Sequence, residues 1–264
     1  MVVSKQMRIV VVLSFVLMIV VNVLANALPL NGLNTGQVSD LFPNLFTPAG
    51  YTFAIWGLIY LLLLLHVLYV CGAFHARSSS LKTVSAVRIE RYFTISSLAN
   101  SLWIVTWHYL LIPLSMVLIV VMLVSLARIN GLLREAKLNT REKLFVRLPF
   151  SVYFGWITVA TIANACVLLV SLGFAEVPYA DLWTVAVLIV GLAIASTVAL
   201  RNLDAAYALV VGWAYGGILV QHLSPAGQAG HYMDIIVTLL IGIAVLLAIV
   251  IVICTRPYRE ARRA

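Results

Sequence analysis

Apolar residues do not alternate along this chain; they run. Eight stretches, about 7–28, 51–71, 91–109, 113–129, 148–172, 182–200, 205–221 and 235–254, are dominated by Val, Leu, Ile, Ala and aromatic residues, with short polar segments between them. A run of about 20 apolar residues is what a helix needs to cross the roughly 30 Å hydrocarbon core of a bilayer. The pattern predicts an all-α polytopic membrane protein with about eight spanning helices and almost no soluble domain. Composition agrees, since 63% of the 264 residues are hydrophobic and 10% are charged, too few to cover a soluble globule.

The net charge of +8 would suit nucleic acid or an anionic surface, but its placement favours another cause. Lys5 and Arg8 precede the first span, and Arg77, Lys82, Arg88 and Arg91 lie between or beside the second and third. Arg128, Arg134, Lys137, Arg141, Lys143 and Arg147 follow the fourth, Arg201 lies between the sixth and seventh, and Arg256, Arg259, Arg262 and Arg263 follow the eighth. The alternate loops, about 29–50, 110–112, 173–181 and 222–234, hold no Lys or Arg. With eight crossings all seventeen basic residues fall on one side, and an odd number would scatter them. Cytoplasmic loops collect Lys and Arg, so both termini are expected in the cytoplasm and loop 29–50 outside. A nucleic-acid partner is thereby excluded.

The amino terminus admits a rival, since "MVVSKQMR", an apolar run and Ala25-Asn26-Ala27 have the form of a cleavable signal peptide. The apolar run extends for the length of a spanning helix, which is the expectation kept here. Asn22 and Asn26 within it are expected to face other helices, because an amide is costly against lipid. Cys71, Cys166 and Cys254 are single residues without metal or disulfide spacing, and read as small packing groups.

Chemistry inside a membrane announces itself through ionisable side chains. Asp181, Asp204 and Asp234 fall at helix ends and Glu176 in a loop, leaving His66 well inside a span with no acid or second His one turn away. No metal ligand set, Gly-x-Ser-x-Gly stretch or phosphate-binding glycine loop is present. The helices carry aromatic and amide stripes instead. "LFTPAGYTFAIWGLIY" (Leu45 to Tyr60) sets Phe53, Trp56 and Tyr60 on one face, with Tyr51 at the helix entrance. Asn100, Trp103 and Trp107 repeat the three-and-four spacing, and Trp156, Ala160 and Asn164 step by four with Thr161 beside them. Interfacial belts are one explanation of such aromatics. The other is a pocket for a flat apolar ligand, since Asn100 and Asn164 lie deep in their spans and need partners.

These stretches resemble the tryptophan-rich sensory proteins (TspO/MBR, the bacterial relatives of the mitochondrial benzodiazepine receptor). That family enters its second helix through Pro-Pro-Gly-Trp-x-Phe, then a Trp and, four residues on, a Tyr. Pro48, Gly50, Phe53, Trp56 and Tyr60 supply a version of it here. "ANSLWIVTW" is similar to the family's Asn-Trp-x-Trp stretch on helix three, and "WITVATIAN" keeps Trp156, Ala160, Thr161 and Asn164 at the spacing of its helix five. Tyr51 stands where the family has Trp, Ala49 replaces the second Pro, and the interval from Phe53 to Trp56 is one residue short.

The resemblance covers about residues 7–172. It implies a five-helix domain over 1–172, followed by a three-helix membrane extension over 173–264 with a short basic tail. It implies binding, sensing or transport of tetrapyrroles (porphyrin or haem) or similar planar hydrophobic molecules, in a bacterial plasma membrane. Tyr51, Phe53, Trp56, Tyr60, Asn100, Trp103, Trp107, Trp156, Ala160, Thr161 and Asn164 would line the site, with no metal and no resident cofactor. Enzyme activity stays open, and a multi-helix transporter of a small hydrophobic or amphipathic solute is the alternative. Sterol binding is not implied, because the cholesterol pattern survives only loosely as Val252, Tyr258 and Arg262. Ala208, Gly212 and Gly216 form a small-residue face expected to dock on the five-helix unit, with homodimerisation the lesser use.

Overall fold

The computed structural model describes residues 3–28, 30–73, 81–174 and 178–255. Arg77, Glu176, Arg256, Tyr258, Arg259, Arg262 and Arg263 lie outside them. Each of the eight apolar runs forms a helix: α1 (Lys5–Ala27), α3 (Ile55–Cys71), α4 (Thr83–His108), α5 (Ile112–Glu135), α7 (Leu148–Ser171), α8 (Ala180–Asn202), α9 (Ala205–Leu223) and α10 (Met233–Thr255). Two short helices, α2 (Thr35–Asp40) and α6 (Thr140–Glu142), lie in loops, and each begins with a capping box, Asn34 with Gln37 and Asn139 with Glu142. Among the described residues there is no strand.

Seven of the eight long helices are long and apolar enough to cross a membrane. The exception is α4, which is long enough at 26 residues but opens with Arg88, Glu90 and Arg91. It begins well before the expected residue 91 because the stretch from Thr83 to Glu90, polar enough to read as loop, continues the helix, with Glu90 turned inward and Arg88 and Arg91 outward. Lipid-facing sides stay apolar, as with Leu13, Val16 and Leu17 on α1 and Ile189, Val190 and Ile194 on α8. The polar residues lie inside: Asn22, Ser97, Asn100, Ser115 and Asn164 are buried. With no water in the hydrocarbon, each internal polar group must find an internal partner.

The chain forms two compact units. The first comprises the described residues of Met1–Asn44 and Phe53–Ala175. In it α4 packs on α1 and α5, α5 on α7, α7 on α3, and α3 back on α1, so five helices close a ring. From Pro149 to Val159 every residue of α7 is buried, which marks it as the most enclosed helix stretch of the ring. A π-turn at Lys143–Arg147 leads into it, where Leu148 N–H reaches back to Lys143 O. Pro149 has no N–H to offer Phe145 O, which is the carbonyl a regular helix would pair with it.

The second unit comprises the described residues of Glu176–Ala264 together with Leu45–Thr52. Here α10 packs on both α8 and α9. Leu45–Thr52 is held to α9 by three hydrogen bonds. Ala49 N–H donates to Gly217 O at 3.0 Å, Trp213 Nε1–H to Thr52 O at 3.0 Å, and His222 Nε2 pairs with Leu45 O at 2.9 Å. Gly217 permits this approach, because a Cβ there would run into the Thr52 side chain. The close contact on α9 is made at Gly217; a Cβ at Gly212 or Gly216 would meet nothing within 4 Å.

Candidate ligand-binding site

Trp56 is the centre of an aromatic cluster inside the first unit. Its ring stacks on Tyr60 at 5.5 Å and 22°, tilts against Trp103 at 6.0 Å, and meets Tyr153 and Trp156 edge-on, each at 6.1 Å. Phe53 adds an edge contact to Trp156 at 6.0 Å, and Trp107 stacks on Trp103 at 5.8 Å. Helical spacing places these rings: Trp56 and Tyr60 on α3, Trp103 and Trp107 on α4, Tyr153 and Trp156 on α7 each lie three or four residues apart and share a face. Each edge or offset pair contributes about 0.5–1.5 kcal/mol beyond its area burial.

Amides tie the same faces together. Trp103 Nε1–H donates to Asn164 Oδ1 at 3.0 Å, and Asn164 Nδ2 donates to Ser115 Oγ on α5 at 3.1 Å. Asn22 Nδ2 donates to Asn100 Oδ1 at 2.7 Å, and Asn100 Nδ2 to the Tyr153 hydroxyl at 3.1 Å. Asn22 thus meets a neighbouring helix as expected. Asn26 likewise meets another helix, accepting from the N–H and hydroxyl of Thr35, the first residue of α2, at 3.2 and 3.0 Å.

The loop before α3 is latched at the same end. Trp107 Nε1–H donates to Thr35 O at 3.1 Å, Thr35 Oγ1 lies 3.2 Å from His108 Nε2, and Asn31 Nδ2 donates to His108 O at 3.1 Å. One buried donor in the cluster stands apart. Trp156 Nε1 is shielded from solvent and has no hydrogen-bond partner, although its ring touches both Phe53 and Trp56.

Of the eleven expected site residues, Phe53, Trp56, Tyr60, Trp103, Trp107 and Trp156 meet ring to ring, and Asn100 and Asn164 join through hydrogen bonds. Tyr51 does not join this group: it belongs to the second unit, half-exposed and edge-on to Trp213 at 5.6 Å. Ala160 and Thr161 are half-buried one turn beyond Trp156, and the Thr161 hydroxyl bonds its own helix at Ile157 O. Tyr153 and Ser115 were missed. Tyr153 lies three residues before Trp156 on the same stripe, a spacing that marks it, whereas nothing in the spacing marks Ser115.

An apolar cleft of about 290 Å³ lies between α1 and α3, lined by Phe15, Val16, Ile19, Leu61 and Leu64 with Tyr60 in its wall. Val16, Leu61 and Leu64 are largely exposed, so the cleft opens on the lipid side. Tyr60 separates it from Trp56.

His66, with no acid one turn away on its own helix, is hydrogen-bonded to groups from elsewhere in the chain. Glu90, absent from the acids weighed above, reaches it from α4, with Oε1 3.2 Å from His66 Nε2, and both side chains are fully buried. Among the described residues no three His, Cys, Asp or Glu side chains group as metal ligands.

No curated protein and no solved structure matches the chain. The family model described as TSPO-like protein matches residues 8–253, which reaches past the 7–172 that carry the resemblance and into α10, and the chain therefore belongs to the TSPO-like protein family.

Proposed function

We propose that this chain is a membrane-embedded binding protein, acting as a sensor, for planar hydrophobic ligands, with tetrapyrroles as the class its family suggests. The observation that carries this is the unpartnered N–H of Trp156. Buried donors are almost always satisfied, and one left open among stacked rings suits a flat ligand bearing an acceptor such as a carboxylate or carbonyl. The rings supply stacking area and Trp156 supplies the single orienting bond. The cleft between α1 and α3 gives a ligand dissolved in the bilayer an apolar approach, with Tyr60 as the side chain that must yield.

The test is a titration of protoporphyrin into the full chain in lipid nanodiscs, read by quenching of tryptophan emission. The parent is expected to quench saturably. Trp156→Phe keeps the ring and removes the donor, and should weaken binding about five- to tenfold, the equivalent of one net hydrogen bond of about 1–1.4 kcal/mol. A folded Trp156→Phe that titrates like the parent removes the role given to the N–H. A parent that never saturates removes the tetrapyrrole class.

A further inference from the structure

His66 and Glu90 form a pair whose hydrogen bonding assigns a proton. His66 Nδ1 faces Phe145 O at 2.9 Å, and a carbonyl only accepts, so Nδ1 carries a hydrogen. Nε2 faces the Glu90 carboxyl at 3.2 Å to one oxygen and 3.4 Å to the other. Either Nε2 also carries a hydrogen and meets a carboxylate, or it offers its lone pair to a carboxylic acid. Both arrangements are neutral overall and differ only in where one shared proton sits. Without that proton, a lone pair would face a carboxylate. The rings of Phe93 and Phe150, at 5.5 and 4.8 Å from the imidazole, give that charge no solvent. The pair is thus built to hold one proton.

A second observation points to how that proton is reached. Glu90 Oε1 is shielded and has only its 3.2 Å contact with His66 Nε2, while Thr94 Oγ1 and Ser97 Oγ are shielded and make no hydrogen bond. They follow at four and three residues, so they form one line on α4, about 10 Å long at the helical rise. Three residues after Ser97 comes Asn100, the amide bonded to Asn22 and to Tyr153 beside Trp56. Buried oxygens without partners in such a row are the setting in which ordered water is found.

We infer that His66–Glu90 is a one-proton binding site served by water along the Thr94–Ser97 line of α4. Loading and unloading transfer a proton and no electrons: it leaves the carboxyl or Nε2 for a water molecule, and the pair passes from neutral to singly negative. Tyr69 follows His66 by three residues on α3, and Glu142 and Arg141 lie close enough to act on it. Glu142 accepts from Leu81 N–H and Asn139 N–H, and Arg88 and Arg91 on α4 are exposed.

The experiment needs no ligand and so stands or falls apart from the porphyrin titration. Infrared spectra of the full chain in nanodiscs, taken before and after transfer to heavy water, read the carboxyl directly. A Glu90 signal is expected to vanish in Glu90→Gln, to move in frequency in His66→Gln, and to exchange within minutes. Thr94→Val with Ser97→Ala keeps the shape of α4 and should slow that exchange while leaving the fold intact, which serves if Glu90→Gln does not fold. A Glu90 signal that exchanges as slowly as core amides in the parent makes the pair a static tie between α3 and α4 and overturns the inference.

Discussion

Asn22 on α1 donates its amide to Asn100 on α4 across 2.7 Å, and Asn100 hands its own amide to Tyr153 on α7. One side chain therefore joins three helices of the ring. Asn100→Leu removes one bond from each partner, Asn22 keeping Met18 O and Tyr153 keeping Met122 Sδ, and should lower unfolding stability by about 1–2 kcal/mol. Asn22→Leu removes a bond from Asn100 alone and should cost about half as much. Removing both amides should cost less than the sum of the two. Reversible unfolding in mixed micelles measures all three, and equal losses from the two single variants would refute the shared role of Asn100.

At Gly217 a methyl group has no room beside Thr52. Gly217→Ala should destabilise the chain by about 1–3 kcal/mol, as overpacking does. Gly212→Ala and Gly216→Ala, with open space at their Cβ positions, should stay within about 0.5 kcal/mol of the parent. Melting temperatures of the three variants in detergent give the comparison, and a shift common to all would point to helix propensity instead of the Thr52 contact.

Trp56→Leu and Trp103→Leu keep apolar bulk and remove stacking surface. Each should weaken porphyrin binding by up to about tenfold, the loss of roughly 1.4 kcal/mol. The two differ in stability. Trp103→Leu deprives Asn164 Oδ1 of its indole donor, so it should melt lower than Trp56→Leu. Leu variants that remain folded and titrate like the parent would assign these rings to helix packing alone.

The expectation of eight crossings puts Met1 and Ala264 on the same face, and the bias of Lys and Arg predicts that this face is the cytoplasm. Cysteines introduced at the two termini should both resist a membrane-impermeant thiol reagent in intact cells, while one placed at Asn31 reacts. Opposite labelling of the termini would break the eight-span arrangement.

The spans were legible because uninterrupted apolar runs have no other use at that length. Deep amides were legible as contacts because hydrocarbon offers Asn100 and Asn164 no alternative partner. The start of α4 was not, since Arg88, Glu90 and Arg91 look like a loop until Glu90 is seen against His66, a partner 24 residues away on another helix. At the entrance to α3, Tyr51 and Phe53 lie in a 3-10 turn that precedes the α-helix at Ile55, and Phe53 still meets Trp156 ring to ring. Two residues apart, they belong to different units.

The hold of α9 on Leu45–Thr52 has a consequence for synthesis. Thr52 and Trp213 stand 161 residues apart. At roughly 5–20 residues per second the ribosome needs on the order of ten to thirty seconds to make that interval. For that time the segment ahead of α3 exists without the indole donor and the Gly217 carbonyl that anchor it. Until α9 arrives, the carbonyl of Thr52 and the N–H of Ala49 must be met by water, lipid headgroups or a chaperone. Maturation of this chain is thereby timed by the arrival of α9.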